Sequence, residues 1–317
     1  MRSGRGVWSR ARWRVNLAAR ALRSGLRRYP AELARALAGV SPGEAAARLA
    51  PRLPEGAGLS ASWLGHASVL MRVGGATVLT DPVFSHRVGP RIAGRTLGLA
   101  RTDAVGGVEV GRPDVILVSH AHFDHLDRPT LARLADERTT VVTPVRVRRL
   151  IPRGFARVIE VEPGGVVEVA GLEVRAVRPR HWGARAGLDR RRGYSAYVIS
   201  GGGHRVLFGG DTADTDAFDA LASAGEGWGG GVSLAVMGIG AYDPWAHAHA
   251  NPEEVWRMCG RMGARFVLPV HHSTFPLGDE PEGEPMARLL AAAGDDAGRV
   301  IRVSPGEVWV GPGEWAR

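Results

Sequence analysis

Lysine is absent from this sequence: all 41 basic residues are arginine. Cysteine is nearly absent, with Cys259 alone in 317 residues. A single cysteine excludes an internal disulfide framework and a cysteine-built metal knuckle, and it fits a reducing compartment. No apolar run approaches the ~18–20 residues that a transmembrane helix requires. Residues 1–30 lack the long apolar core and small-residue cleavage site of a secretory signal. These absences place the expected location in the cytoplasm, with the inner membrane face as the site of any peripheral association.

What is present suffices for a real core. The apolar fraction is 44%, and 33.7 kDa allows one large or two ordinary domains. Charge is unevenly spread. Ten arginines and a single acid, Glu32, lie within residues 1–35, which accounts for the whole formal net charge of +9. From residue 36 onward the chain is formally neutral.

Within the basic stretch Val15, Ala18, Leu22, Leu26, Tyr29, Leu33 and Leu37 recur at spacings of three and four, one face of a helix. Pro30 is expected to end or kink it. Trp8 and Trp13 lie near its start. Such a segment suits an anionic membrane surface. The competing readings are a helix docked by its apolar stripe on the body and a solvated arm. Nucleic-acid binding is not expected, because no recognition pattern continues into the body. Residues 41–58, with Pro42, Pro51 and Pro54, read as a linker. The division is therefore an arginine-rich segment and linker over 1–55 and a body over 56–317.

Strands are predicted at 59–64, 67–73, 76–80, 114–119, 140–143, 156–161, 166–169, 172–178, 194–200, 204–209, 232–237, 265–270 and 299–310. Helices are predicted near 129–137, 214–224, 252–262 and 285–293, the third announced by Asn251-Pro252-Glu253-Glu254. Residues 86–113 read as a long loop. Two blocks of short strands interrupted by helices imply a layered α/β body with two sheets.

The densest chemistry lies in S-H-A-H-F-D-H-L-D (119–127), just past the apolar run Val115–Val118. In an extended segment His120 and His122 point the same way, because side chains alternate. Asp124 and His125, in the following turn, can serve a second point nearby. Imidazole with carboxylate suits zinc, manganese or iron, so one loop could feed two ions. Three other strand ends carry ligand types: His181 after 172–178, Asp211 after 204–209, and His271 with His272 after 265–270. Taken singly, each reads more plainly as a hydrogen-bonded rim or turn residue.

Taken together, H-A-H-F-D-H, a later histidine, G-D-T and a last histidine resemble the motif series of the metallo-β-lactamase-fold hydrolases. The flanks W-L-G-H-A-S-V-L (63–70), T-D-P-V-F-S (80–85), R-H-W (180–182), I-G-A-Y-D-P (239–244), H-A-N-P-E-E (249–254) and V-H-H-S-T-F (270–275) look most like its N-acyl-phosphatidylethanolamine phospholipase D-like branch. The resemblance runs from about residue 60 to 276 and leaves out the arginine-rich segment. It implies an α/β fold, the four-layer αβ/βα sandwich. It implies that His120, His122 and His181 hold one divalent ion, that Asp124, His125 and His271 hold another, and that Asp211 bridges them. Zinc is favoured, with manganese and iron as alternatives.

The resemblance also implies that His66 and Asp81 orient ligands from behind. His272 stands where the family has tryptophan, and its role is left open. Asp124 is the candidate to orient the nucleophile, His249 to serve the leaving group, and Tyr242 and Trp182 to line the substrate space. Two ions ~3.5–4 Å apart can share a hydroxide and clamp a phosphodiester. The expected substrate is thus an N-acylphosphatidylethanolamine-like phospholipid or another small-molecule ester. The alternative is a lactone, as in the ascorbate-6-phosphate lactonase branch. A nuclease is disfavoured by the neutral body, and a catalytically silent scaffold by the filled ligand positions. Oligomeric state is not legible.

Overall fold

The computed structural model describes Arg23 and residues 27–38, 47–185, 189, 191–223 and 231–312. Trp8, Trp13, Val15, Ala18, Leu22, Leu26 and Pro42, which carried part of the N-terminal reading, lie outside the described residues.

The first sheet contains β1 (Leu59–Trp63), β2 (Val69–Val73), β3 (Ala76–Thr80), β4 (Val115–Leu117), β5 (Thr140–Pro144), β6 (Arg157–Val161) and β13 (Val308–Val310). Their order is β6-β5-β4-β3-β2-β1-β13, with β3 to β6 mutually parallel. The second sheet contains β7 (Val166–Val169), β8 (Leu172–Val177), β9 (Ala196–Gly201), β10 (His204–Phe208), β11 (Val232–Gly238) and β12 (Ala264–Val270), in chain order. Its last three strands run parallel.

The central strands, such as β4, β5, β9 and β10, are buried on both faces and read as continuous apolar runs. At one end of the second sheet, β7 and β8 instead alternate exposed residues with buried or half-buried ones. In β4, Val115 and Leu117 enter a core shared by both sheets, while Ile116 and the following Val118 face an outer cluster. In β9, Tyr197 and Ile199 join the shared core, and Ala196 and Val198 face the other outer side. Helix α1 (Arg128–Arg133) covers the first sheet through Leu131. Helices α2 (Pro252–Arg261) and α3 (Glu284–Ala293) cover the second through Val255, Met258, Cys259 and Leu289. The layers are therefore helix, sheet, sheet, helix: the four-layer sandwich. The start of α2 is fixed as the sequence indicates, with reciprocal Asn251 and Glu254 bonds forming a capping box.

Several local expectations differ. The stretch expected as strand 299–310 is strand only at Val308–Val310, because Gly294–Arg299 winds into a short 3-10 helix and 305–306 turn. The helix expected at 214–224 is, among the described residues, a single 3-10 turn at Asp219–Ala222. The loop 86–113 is pinned by short strands, Arg87–Val88 against Leu99–Ala100 and Arg91–Ile92 against Arg95–Thr96. Its Val105–Val108 pairs in parallel with Ala47–Leu49, inside the proline-rich stretch read as linker.

Pro30 lies within helical residues 27–37 and does not end them. A proline removes one helical hydrogen bond, and long-range tethers offset that loss. Arg28 donates to the carbonyls of Leu277 and Gly278 and pairs with Asp279 at 2.6 Å. Glu32 pairs with Arg87 at 3.0 Å, and Arg95 donates to the Leu37 carbonyl. Among the described residues no helix is long and apolar enough to cross a membrane.

Leu117 is fully buried between the sheets. Leu117→Ala is expected to lower the unfolding free energy by about 2–5 kcal/mol, read as an earlier urea midpoint with an unchanged slope.

Candidate metal centre

Strands β1, β3 and β4 point the same way in the first sheet, and β8, β10, β11 and β12 do so in the second. The loops at their C-terminal ends therefore gather at one rim. They deliver His66, Asp81, the 119–127 loop, His181, Asp211, His249 and His271.

Two four-residue groups result, each with one ligand atom per residue within 4.8 Å of the others: His120, His122, His181 and Asp211; and His66, Asp124, His125 and His271. Asp211 stands between them. Its carboxylate lies 3.1 Å from His125, 3.3 Å from His271, 3.6 Å from His181, 3.7 Å from His120 and 3.9 Å from His249. Asp124 lies 3.4 Å and 3.6 Å from His125 and His271.

The rings are aimed from behind. Asp81 accepts from the Ser119 amide at 2.6 Å and from Nδ1 of His125 at 2.6 Å. Nδ1 of His181 donates to the Ala248 carbonyl at 3.1 Å. Each bond leaves Nε2 facing the centre, the arrangement that raises a ligand's basicity and fixes its tautomer. Ser119 Oγ contacts both Asp81 and Nδ1 of His120. Strained backbone collects at the rim, with φ of 51° at His66, 30° at Asp81, 59° at Ala241 and 60° at His271. Gly210, at φ +55°, has no room for a side chain: a Cβ would sit 2.8 Å from that of Ser119. Its bareness lets Asp211 come up against the 119–127 loop.

Burial alone would raise the Asp211 carboxyl, but His125, His271 and His249 hold it well below the usual range. Asp124 is held low against burial by the same His125, among others. Burial is the largest single effect on His125 and His271 and would lower both. The charges and hydrogen bonds of Asp211 and Asp124 together exceed it, raising the first well above its ordinary value and the second to about 9. His66 is pushed down to about 3 by burial and by His271. Its 3.0 Å contact with Asp124 is therefore a hydrogen bond from a neutral ring, although the distance alone would permit an ion pair.

A divalent ion fits these residues. Nε2 of His125, both ring nitrogens of His271 and Oδ1 of Asp211 are buried without a hydrogen-bond partner, which is costly for groups that nothing else engages. Two ionised carboxylates amid imidazoles form the nitrogen-and-oxygen donor set that zinc, manganese and iron accept.

The centre opens into a cavity of about 940 Å³. His122, Asp124, Asp211, His249 and His271 stand on one side, while Leu33, Val88, Leu99, Phe123, Trp245 and Leu277 are among its apolar walls. Trp182 also lines it, stacked on His181 with centroids 4.6 Å apart.

The chain matches the family model described as the beta-lactamase superfamily domain over residues 76–272. The chain belongs to this superfamily. It is 34% identical over 264 residues to an uncharacterised protein of Mycobacterium tuberculosis, covering 78% of this chain and 68% of that one. It is 31% identical over 241 residues to a mitochondrial N-acyl-phosphatidylethanolamine-hydrolyzing phospholipase D of Saccharomyces cerevisiae, covering 72% of this chain and 50% of the yeast protein. A metallo hydrolase from Ignicoccus hospitalis superposes with a TM-score of 0.58 at 18% identity, covering 81% of this chain and 99% of that one. The diiron β-hydroxylase CmlA of Streptomyces venezuelae does so with 0.56 at 22%, covering 81% and 55%. These structures share the fold. As a superfamily member the chain is a metal-dependent hydrolase.

Every superfamily motif residue named from the sequence is at this rim, with His66 and Asp81 behind it. Tyr242 is not part of the cavity, a correction to its expected place. Its hydroxyl donates to Glu284 at 2.7 Å and Arg288 covers its ring, while Ala241 lines the cavity instead. His272 belongs to neither group, its ring lying on Trp63 at 4.8 Å. Sequence reasoning missed Phe123, Trp245 and the Tyr29-Pro30-Leu33 wall as lining residues. The signal was there for the last, since Tyr29 and Leu33 share the amphipathic stripe.

Asp211→Ala is expected to abolish tight metal binding by elemental analysis, and Asp81→Ala to weaken it about 10–100-fold. Protons on His125 and His271 compete with a cation, so metal affinity should fall as pH drops below about 9, the value for His271. Titration of metal into stripped protein at several pH values checks both the fall and the accompanying proton release.

Proposed function

We propose that this chain is a dinuclear phosphodiesterase of phospholipase D type, acting on N-acylphosphatidylethanolamine-like phospholipids. The observation that carries the reading is the apolar cavity of about 940 Å³ opening directly onto the metal-type cluster. Aliphatic and aromatic walls of that extent suit acyl chains, whose burial contributes about 0.8 kcal/mol per methylene. A small polar lactone would leave most of them unused. The likeness to the yeast phospholipase D points the same way.

In this reading His120, His122, His181 and Asp211 would hold one ion, and Asp124, His125 and His271, with Asp211, would hold a second. Bound there, the ions supply a water nucleophile at neutral pH and offset charge developing on the phosphoryl oxygens. Asp124, held by His66, orients the attacking water and accepts its hydrogen bond. Water oxygen adds to phosphorus as the bond to the ethanolamine oxygen breaks, giving phosphatidic acid and an N-acylethanolamine. His249, on the cavity side of Asp211, is held well below its ordinary value by burial, so its neutral ring hydrogen-bonds the leaving oxygen, which takes its proton from water. Trp182, Phe123 and Leu33 seat the chains and exclude water.

The reading extends to the bilayer. Tyr29, Leu33 and Leu37 are exposed on the helical segment 27–37, and Ile92 on the neighbouring hairpin, beside Arg27, Arg91 and Arg95. Apolar tips among arginines suit an anionic membrane surface, which would keep the enzyme at the inner face of the membrane.

Metal-loaded protein is expected to release phosphatidic acid from N-acylphosphatidylethanolamine vesicles in preference to turning over a lactone panel; lactone turnover without lipid cleavage would overturn the reading. Leu33→Asp is expected to lower kcat/KM for long-chain substrate about tenfold or more, since a charge would lie in an apolar wall. Metal content and turnover of a short soluble phosphodiester should not change.

A further inference from the structure

A second cavity, of about 470 Å³, lies against the first and shares Val88, Gly89 and Phe123 with it. Its chemistry is the opposite. Four arginines line it, Arg87, Arg91, Arg128 and Arg185, against one acid, Asp127. That acid is already engaged: its Oδ2 accepts from the Ser85 amide at 3.1 Å and from the Thr130 hydroxyl at 2.5 Å. Arg87 is neutralised by Glu32. The other three have no carboxylate within ion-pairing distance among the described residues; their partners are carbonyls and, for Arg185, the Phe123 ring, centred 4.1 Å from its guanidinium carbon. Arg91 donates through Nε to Gly94, Arg128 through Nε to Leu150, and Arg185 through Nη1 to Ala121 and Leu126.

Cations gathered without counter-charge are costly, more so where burial removes water. Arg185 shows the cost: burial, then the nearby Arg128, pull its guanidinium down to about 10. An oxyanion would relieve it. Guanidinium groups present planar forks matched to phosphate oxygens, and several converging forks suit a tetrahedral anion with oxygens in several directions.

We propose that this arginine-lined cavity is a binding site for a phosphate group, separate from the metal centre. Arg91 and Arg128 close on the anion from the solvent side, and Arg185 receives it from within. The ligand is either free inorganic phosphate or the phosphate of an anionic lipid whose chains lie at the apolar mouth next door. The site does not depend on which ester the metal centre hydrolyses. Because Arg185 also holds the carbonyls of Ala121 and Leu126 in the ligand loop, it is a poor residue to alter, and the exposed pair is the better test.

The metal-loaded full chain, its Arg91→Ala/Arg128→Ala variant and a charge-matched control, Arg138→Ala/Arg175→Ala, would be titrated with inorganic phosphate by calorimetry. They would also be tested on phosphatidylcholine vesicles with and without phosphatidic acid. Loss of two charged hydrogen-bond donors is expected to weaken one phosphate-binding component about tenfold or more in the first variant alone. Metal content and hydrolysis of a soluble ester should stay at wild-type levels. If the phosphate belongs to a lipid, binding of the phosphatidic-acid vesicles falls in parallel and free phosphate competes with it. If the site takes free phosphate only, added phosphate leaves phosphatidic-acid vesicle binding of the wild type unchanged, whatever Arg91 contributes at the membrane face. Phosphate isotherms of the first variant that overlay the wild type, or an equal loss in the control, would overturn the proposal.

Discussion

A carboxylate buried among five imidazoles, that of Asp211, is the group on which the arrangement turns. An ionised carboxylate out of water is expensive unless positive charge compensates it. Here the compensation comes from the rings around it, with protons on His125 and His271 standing where a cation would act. The five rings arrive from four different loops of both sheets. None of those loops could hold the charge alone, so the sandwich must be assembled before the site exists.

The scaffold that assembles them is stiff where it matters. Asp81 and Ser119 lock the orientation of His125 and His120, and the Ala248 carbonyl locks His181. Non-glycine residues with positive φ at His66, Asp81, Ala241 and His271 hold strained turns that the packed sheets beneath over-determine. The shared core, with Leu117, Tyr197 and Phe208 fully buried, keeps the two halves of the site in register. Tyr197 reaches across it, donating from its hydroxyl to the Val118 carbonyl at the root of the ligand loop.

Outside this rigid centre the chain adds two further environments. The tethered segment 27–37 and the hairpin strands between 87 and 100 turn the rim into a deep apolar cavity, and the reverse side of the same hairpin helps form the arginine-lined one. The net charge at the start of the chain is thus partly local chemistry: Arg28 fastens the segment to residues 277–279, while Glu32, its one acid, is spent on Arg87.

Much of this was legible beforehand because the signals are local. Strand runs such as Val115–Val118, the Asn251-Pro252 helix start and the dense H-A-H-F-D-H loop each encode their own conformation or donor type within a few residues. The family motifs then ordered His181, Asp211 and His271 correctly along the chain. Where several conformations compete locally, as at 214–224 and 299–310, propensity failed and tertiary contacts chose turns in place of helix or strand. What no local signal could supply was which residues face one another across the fold. Tyr242 turned to Glu284 and Arg288, His272 to Trp63, and Leu33 to the apolar cavity, because each side chain's partner lies far away in sequence. The sequence by itself determined the fold family and the donor set of the centre, since both reside in short patterns. Only the tertiary structure decided the apolar cavity, its helical wall and the neighbouring arginine pocket, since surfaces made from distant segments exist only once the layers have packed.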